Sequence, residues 1–147
     1  MRIVGEWQLC DDDVTRPTVR AKVLGRNGIL SADDFLIDTG ADRTVLSAGL
    51  LTRLGLPTRA AQPDFTLSGI GGASAFVCVT TVVEFVRDDG GPARVHGEFA
   101  GFLDPTATDL SVLGRDVLDH FDLIISRRQN EIFLLALRHQ YRIERDR

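Results

Sequence analysis

Asp38-Thr39-Gly40-Ala41 closes the apolar run Phe35-Leu36-Ile37, so a carboxylate stands where a buried strand must turn. Gly40 offers the conformational freedom that such a turn can need. The element occurs once in the chain, and a reaction needing two such carboxylates would need two chains. Two of these aspartates facing each other could not both ionise. They would share a proton, one acting as general base on a water while the other, protonated, polarises a carbonyl. Taken alone, Asp-Thr-Gly reads equally as an ordinary turn with an Asx hydrogen bond.

Two further segments accompany it. Leu67-Ser68-Gly69-Ile70-Gly71-Gly72-Ala73 follows about thirty residues downstream, where its glycines would let backbone N–H groups approach a ligand closely. By itself it is also a plain hairpin turn. Ser111-Val112-Leu113-Gly114-Arg115-Asp116-Val117-Leu118 then gives a short apolar strand, a glycine and a helix-like turn.

In this order and spacing the three segments resemble those of retropepsins, the single-lobed aspartic proteases of retroviruses and their cellular and bacterial relatives. The resemblance runs from about Arg16 to Leu137. Phe35 to Leu46 resembles the family's catalytic strand and loop, Ser68 to Gly72 its flap, and Val112 to Asp116 the hydrophobic-hydrophobic-Gly motif beneath that loop. Ser47 to Leu56, with Leu50, Leu51 and Leu54 at helical spacing before Gly55, predicts a helix more typical of the cellular and bacterial branch.

The resemblance implies an all-β, closed acid-protease barrel with one or two short helices, forming half of a two-fold dimeric enzyme. It implies an aspartic endopeptidase acting on peptide or protein substrates as a homodimer, without metal or other cofactor. Asp38 matches the catalytic aspartate, Thr39 the residue whose hydroxyl braces the two loops across the axis, and Gly40 the turn glycine. Leu36, Ala41, Asp42, Arg43, Gly69, Ile70, Gly71, Gly72, Leu110 and Val112 match positions that border bound substrate. Asp42 and Arg115 match an ion pair tying the loop to the following helix. Arg16-Pro17 resembles an amino-terminal pair whose arginine reaches the partner's catalytic-loop acid. The alternative within the same fold is a catalytically silent dimer that binds peptide, and a third reading is a subunit whose active partner is another chain.

Two positions depart from better-known relatives. Arg43 stands where viral enzymes carry an acid, and it would either favour acidic substrate side chains or project into solvent. Ala41 replaces the serine usual in two-lobed enzymes, removing a donor to ionised Asp38 and favouring activity at weakly acidic to neutral pH.

The chain's 147 residues, 44% hydrophobic with net charge −4, fit one domain over residues 1–137 and a charged tail over 138–147. A chain of this length buries roughly two thirds of its unfolded surface. Cys10 and Cys78 lie far apart, suggesting neither a zinc site nor a disulfide framework. His96, His120 and His139 are scattered singly. The tail's arginines are interrupted by Glu144 and Asp146, so a solvated tail is expected and nucleic-acid binding is not. No apolar run reaches membrane-spanning length and no signal peptide is evident, so a cytoplasmic protein with no membrane partner is expected. Lys22 is the only lysine among many arginines, a bias suggesting a GC-rich bacterial genome.

The elements needed to position Asp38 are mostly strands. Val19–Leu24 alternates with period two, Gly25 to Gly28 punctuate a hairpin, and Ile29 to Asp38 return. Phe76–Val86 and Ala93–Phe102 should pair around Asp88-Asp89-Gly90-Gly91. A short helix is expected over Val117–Phe121, then a terminal hairpin of Asp122–Ser126 with Glu131–Leu137. Ile132 to Leu137 is too apolar for an exposed edge and belongs either to a dimer interface or to the chain's own core.

Overall fold

A computed structural model describes residues 1–61, 76–106 and 110–136. In chain order the strands are β1 (Arg2–Val4), β2 (Glu6–Leu9), β3 (Thr15–Leu24), β4 (Leu30–Ile37), β5 (Val45–Leu46), β6 (Arg59–Ala60), β7 (Phe76–Val86), β8 (Pro92–Phe102), β9 (Ser111–Leu113), β10 (Asp122–Ser126) and β11 (Glu131–Leu135). Two short α-helices, α1 (Ala48–Leu54) and α2 (Arg115–Leu118), and a 3-10 turn at Arg26–Gly28 complete the elements among the described residues.

Alternation decides which strands can enclose a core. In β3, Val19, Ala21 and Val23 point inward at 0–2% exposure, while Arg20 and Lys22 face water. Its partner β4 buries Phe35 and Ile37, and β7 buries Val79, Val83 and Phe85. Strands that are apolar on one face can curl until that face is enclosed. Here β3, β4, β9, β5, β8 and β7 pair in sequence, and β3 meets β7 again through Lys22↔Glu84 and Val23↔Val83, closing a six-stranded barrel. The β7–β8 hairpin pairs Phe76↔Phe102 at one end and Val86↔Pro92 at the other. Its turn is held by Asp89 Oδ1, which accepts from Gly91 N–H at 2.9 Å.

Helix α1 is set by its ends. Ser47 Oγ accepts from Leu50 N–H at 3.2 Å as the N-cap, and Gly55 at φ 61° supplies the left-handed C-cap. Leu50 and Leu54, at 0% and 1% exposure, anchor the helix to the barrel.

The terminal hairpin differs from one of its two expectations. Strand β11 is not an edge: β1 pairs with one side of it and β10 with the other. Ile132, Leu134, Leu135 and Ala136 are only 0–8% exposed within the single chain, and Ile132 and Leu134 join its core. The interface assignment is therefore corrected to core packing for Ile132, Leu134, Leu135 and Ala136, because these side chains have almost no area left to bury against a partner, while Phe133 between them is half-buried. Leu137 lies outside the described residues. Strand β1, absent from the sequence reading, is the reason: Ile3 sits opposite Leu134 and is 1% exposed.

Smaller differences have local causes. Helix α2 begins at Arg115, two residues earlier than expected, where the otherwise unpaired first-turn N–H groups of Arg115 and Asp116 donate to the carbonyls of Ala41 and Asp42 in the loop after β4. Arg16 forks onto Asp12 within its own chain at 2.7 and 2.6 Å. The guanidinium draws the Asp12 carboxyl down to about 2, so that pairing is fully present above the ordinary carboxylate range and is lost as pH falls through about 2. Both thiols, half-buried Cys10 and buried Cys78, are free. Among the described residues no helix is long and apolar enough to cross a membrane, and no group of three His, Cys, Asp or Glu side chains could hold a metal.

Candidate active site

Asp38 leaves the barrel directly after β4. Its N–H donates to Leu113 O at 3.1 Å, continuing the parallel pairing Phe35↔Ser111, Leu36↔Val112 and Ile37↔Leu113 by one more bond. The chain then doubles back, with Ala41 N–H donating to Asp38 O at 3.2 Å and Gly40 N–H to Asp38 Oδ1 at 2.9 Å. One carboxylate oxygen is thus oriented by the loop, while Oδ2 has no hydrogen-bond partner among the described residues. Gly40 is not in the left-handed region. Its value is close approach, since a Cβ there would stand 3.3 Å from Asp38 Oδ1 and crowd the carboxylate. Thr39 is exposed, and its hydroxyl makes no hydrogen bond among the described residues.

The loop is tied down by a knot of polar groups beneath it. Thr44, 0% exposed, donates its Oγ1–H to Asp116 Oδ1 at 2.6 Å and accepts from Gly114 N–H at 3.0 Å. Thr44 N–H donates to the same Asp116 oxygen at 2.8 Å. From the other side, Arg115 N–H donates to Ala41 O at 2.8 Å and Asp116 N–H to Asp42 O at 3.3 Å. Asp42 and Arg115 also pair through their side chains, and that contact raises the Arg115 guanidinium above its ordinary value. Both are more than half exposed, so solvent screens the pair and the buried backbone bonds contribute more to holding the loop.

Thr44 and Asp116 were not singled out from sequence as site-shaping residues. A threonine four positions after Gly40 and an aspartate two after Gly114 carry no periodicity signal, and only the fold brings them together. Thr44→Val, nearly isosteric, would strand Gly114 N–H and remove one donor from Asp116. It is expected to cost about 3 kcal/mol, because buried polar groups left without partners lose their solvation outright. Urea unfolding with an unchanged slope and a lowered midpoint is the check.

Around Asp38 the structure brings together Leu36, Ala41 and Val112, all half-buried, with Leu36 directly opposite Val112 on the barrel face that turns away from Phe35 and Ile37. Leu110, also half-buried, immediately precedes β9. Asp42 and Arg43 are exposed on the loop's outer side. Gly69, Ile70, Gly71 and Gly72, read as the flap, lie outside the described residues, as does the division between domain and tail after residue 137.

A closed barrel that delivers Asp-Thr-Gly at a strand end, above a Gly-Arg-Asp knot, is the architecture of a retropepsin-like aspartyl protease. The aspartyl protease family model matches residues 19–117, and the chain belongs to that family. Solved structures agree on the fold. The chain is similar to a retropepsin-like aspartic protease from Rickettsia conorii, with TM-score 0.57 and 17% identity over 91% of this chain and 89% of that one. It is also similar to EIAV protease complexed with the inhibitor HBY-793, with TM-score 0.51 and 24% identity over 71% of this chain and 86% of that one. The retroviral protease-like domain of Ddi1 from Leishmania major gives TM-score 0.50 and 17% identity over 84% and 96% of the two chains. No curated protein gives a significant match to the sequence.

Proposed function

We propose that the protein is an aspartic endopeptidase that works as a homodimer, its site formed where two copies of Asp38 meet. The observation that carries this reading is the state of Asp38: one oxygen oriented by Gly40 N–H, the other without a hydrogen-bond partner among the described residues, in a loop that the chain supplies only once. A second copy would bring a second carboxylate, and the exposed Thr39 hydroxyl is available to bond across the axis. The two carboxyls then hold a single proton between them.

In the proposed reaction the ionised carboxylate takes a proton from water as its oxygen attacks the peptide carbonyl carbon. The protonated partner gives its proton to the carbonyl oxygen, producing a neutral tetrahedral diol. Collapse of that intermediate breaks the C–N bond, with one carboxyl protonating the leaving nitrogen and the other recovering a proton from the diol. The pair ends with one shared proton, ready for another water.

Leu36 and Val112, with Leu110 beside them, offer an apolar wall next to Asp38, so we assign extended peptide segments with apolar side chains as substrates. Such a peptide would bind largely through main-chain hydrogen bonds, with the wall selecting side chains. Ala41, Asp42 and Arg43 would border the same cleft. With two free thiols and no cofactor needed for the reaction, a reducing cytoplasm is the compartment we assign.

The test is incubation of the purified chain with a peptide library at a series of chain concentrations. Cleavage between apolar residues is expected, with activity falling faster than linearly on dilution because each chain contributes half a site. Binding without cleavage at any pH, or cleavage per chain that stays constant where sedimentation finds a monomer, would contradict the proposal.

A further inference from the structure

The strand that delivers Asp38 carries a second carboxylate on its inward side. Alternation along β4 puts Asp33 on the same face as Phe35 and Ile37, which are 0% and 5% exposed, and the Asp33 side chain is itself only 16% exposed. A charge on such a face is costly unless its oxygens find donors. Ser111 Oγ donates to Asp33 Oδ2 at 2.7 Å, and Ser47 Oγ donates to the same oxygen at 3.3 Å. Each hydroxyl also accepts, Ser111 Oγ from Ser47 N–H at 2.9 Å and Ser47 Oγ from Leu50 N–H at 3.2 Å. The Arg53 guanidinium lies 3.6 Å from Oδ1 while donating to Ala32 O at 3.1 Å. Ser47 and Ser111 are 5% and 0% exposed, so the network is buried and each of its hydroxyls is satisfied.

We propose that Asp33 is a positioning residue for Asp38, setting the register of β4 on β9 and seating α1 beside them; this rests on the reading of Asp38 as half a dyad. Ser111 stands opposite Phe35 in the parallel pair that ends with Asp38 N–H on Leu113 O. A one-residue slip of β9 would carry the Ser111 hydroxyl away from Asp33 and turn Val112 toward the core, so the polar bonds select one register. Ser47 joins the end of β5, which pairs with β9 through Val45↔Val112, to the start of α1. One carboxylate oxygen, five residues upstream of Asp38, therefore links three elements that border the catalytic loop. Displacing a reacting group by an ångström can cost about a hundredfold in rate, so loosening this link would lower turnover without removing any contact to substrate.

The test compares Asp33→Ala, Ser111→Ala and the conservative Asp33→Asn, which keeps an acceptor oxygen for both hydroxyls. Three quantities are measured: kcat per active site titrated with a tight-binding peptide analogue of the tetrahedral intermediate, KM, and amide exchange at Asp38 relative to core amides of β7. Asp33→Ala is expected to lower kcat per titrated site about tenfold or more and to speed Asp38 exchange selectively, with KM little changed and Asp33→Asn retaining most of the parental turnover. If only thermal stability falls, with kcat per site and relative exchange at parental values, the proposal is overturned. Should Asp33→Ala fail to fold, Ser111→Ala carries the same three measurements and the same two outcomes. If the parent cleaves no peptide, the protease reading fails, and selective exchange at Asp38 still decides the role of Asp33.

Discussion

Asp38→Asn should abolish peptide cleavage, by at least about a thousandfold, while leaving the barrel intact. General acid–base catalysis by a positioned side chain is worth about 10²–10⁴ in rate, and in a dimer one substitution removes both the base and the acid. The amide keeps the shape of the carboxylate and still offers an oxygen to Gly40 N–H, which now reaches Asp38 Oδ1 at 2.9 Å. It cannot take a proton from water. Circular dichroism and sedimentation should therefore match the parent while turnover is lost. Near-parental kinetics from a preparation free of deamidated material would remove Asp38 from the mechanism.

Gly114→Ala should be the most damaging single change outside the acid itself. Gly114 has φ −96° and ψ −179°, an extended backbone that alanine adopts freely, so torsional strain is not the reason. Space is the reason. An added Cβ would stand 2.4 Å from Arg43 C, 2.5 Å from Arg43 O and 2.8 Å from Thr44 N. All three are backbone atoms of the loop that carries Asp38, so relief requires moving the loop and breaking the Gly114 N–H bond to Thr44. Overpacking of this kind costs about 1–3 kcal/mol and more when no flexible side chain can yield, so about 3 kcal/mol with loss of most activity is expected. Gly49→Ala serves as the control. Nothing lies within 4 Å of that Cβ, and alanine in an exposed helical position should be neutral or stabilising by about 0.5–1 kcal/mol. Equal unfolding midpoints for the parent and Gly114→Ala would contradict the packing argument.

How legible this was from sequence varied with the range of the interaction. The β7 strand was read with the bounds it has, Phe76–Val86, because alternation and an Asp-Asp-Gly-Gly turn are local signals. Helix α1 was legible for the same reason, with Ser47 and Gly55 marking its ends. Strands β1 and β2 leave no comparable signal. They are three and four residues long, and β1 finds its partner at the far end of the chain, Arg2 opposite Leu135. Missing β1 left β11 looking like an exposed edge in want of a cover, and a partner chain was one natural candidate. Strands β5 and β6 are two residues each, too short for any periodicity.

The candidate site divides in the same way. Asp38 was legible because a carboxylate follows an apolar run at a glycine turn. Gly40 follows from the turn itself, and its backbone lies outside the left-handed region, with an added Cβ 3.3 Å from Asp38 Oδ1. Asp33 does carry a signal in the sequence: in β4 it shares parity with Phe35 and Ile37, and an acid on an inward parity implies buried partners. Those partners, Ser47 and Ser111, are 14 and 78 residues away in sequence. Thr44 and Asp116, 72 residues apart, are joined only by the closure of the barrel.

The central claim is that one site is built from two Asp38 carboxylates, and mixing parent with Asp38→Asn tests it most directly. The two chains are combined at fixed total concentration, allowed to exchange subunits, and assayed for cleavage as the parental fraction is varied. If each site needs an aspartate from both chains, only parent–parent dimers cleave and activity follows the square of the parental fraction. Activity that falls linearly with that fraction would mean that a single Asp38 suffices, and the two-chain site would be wrong.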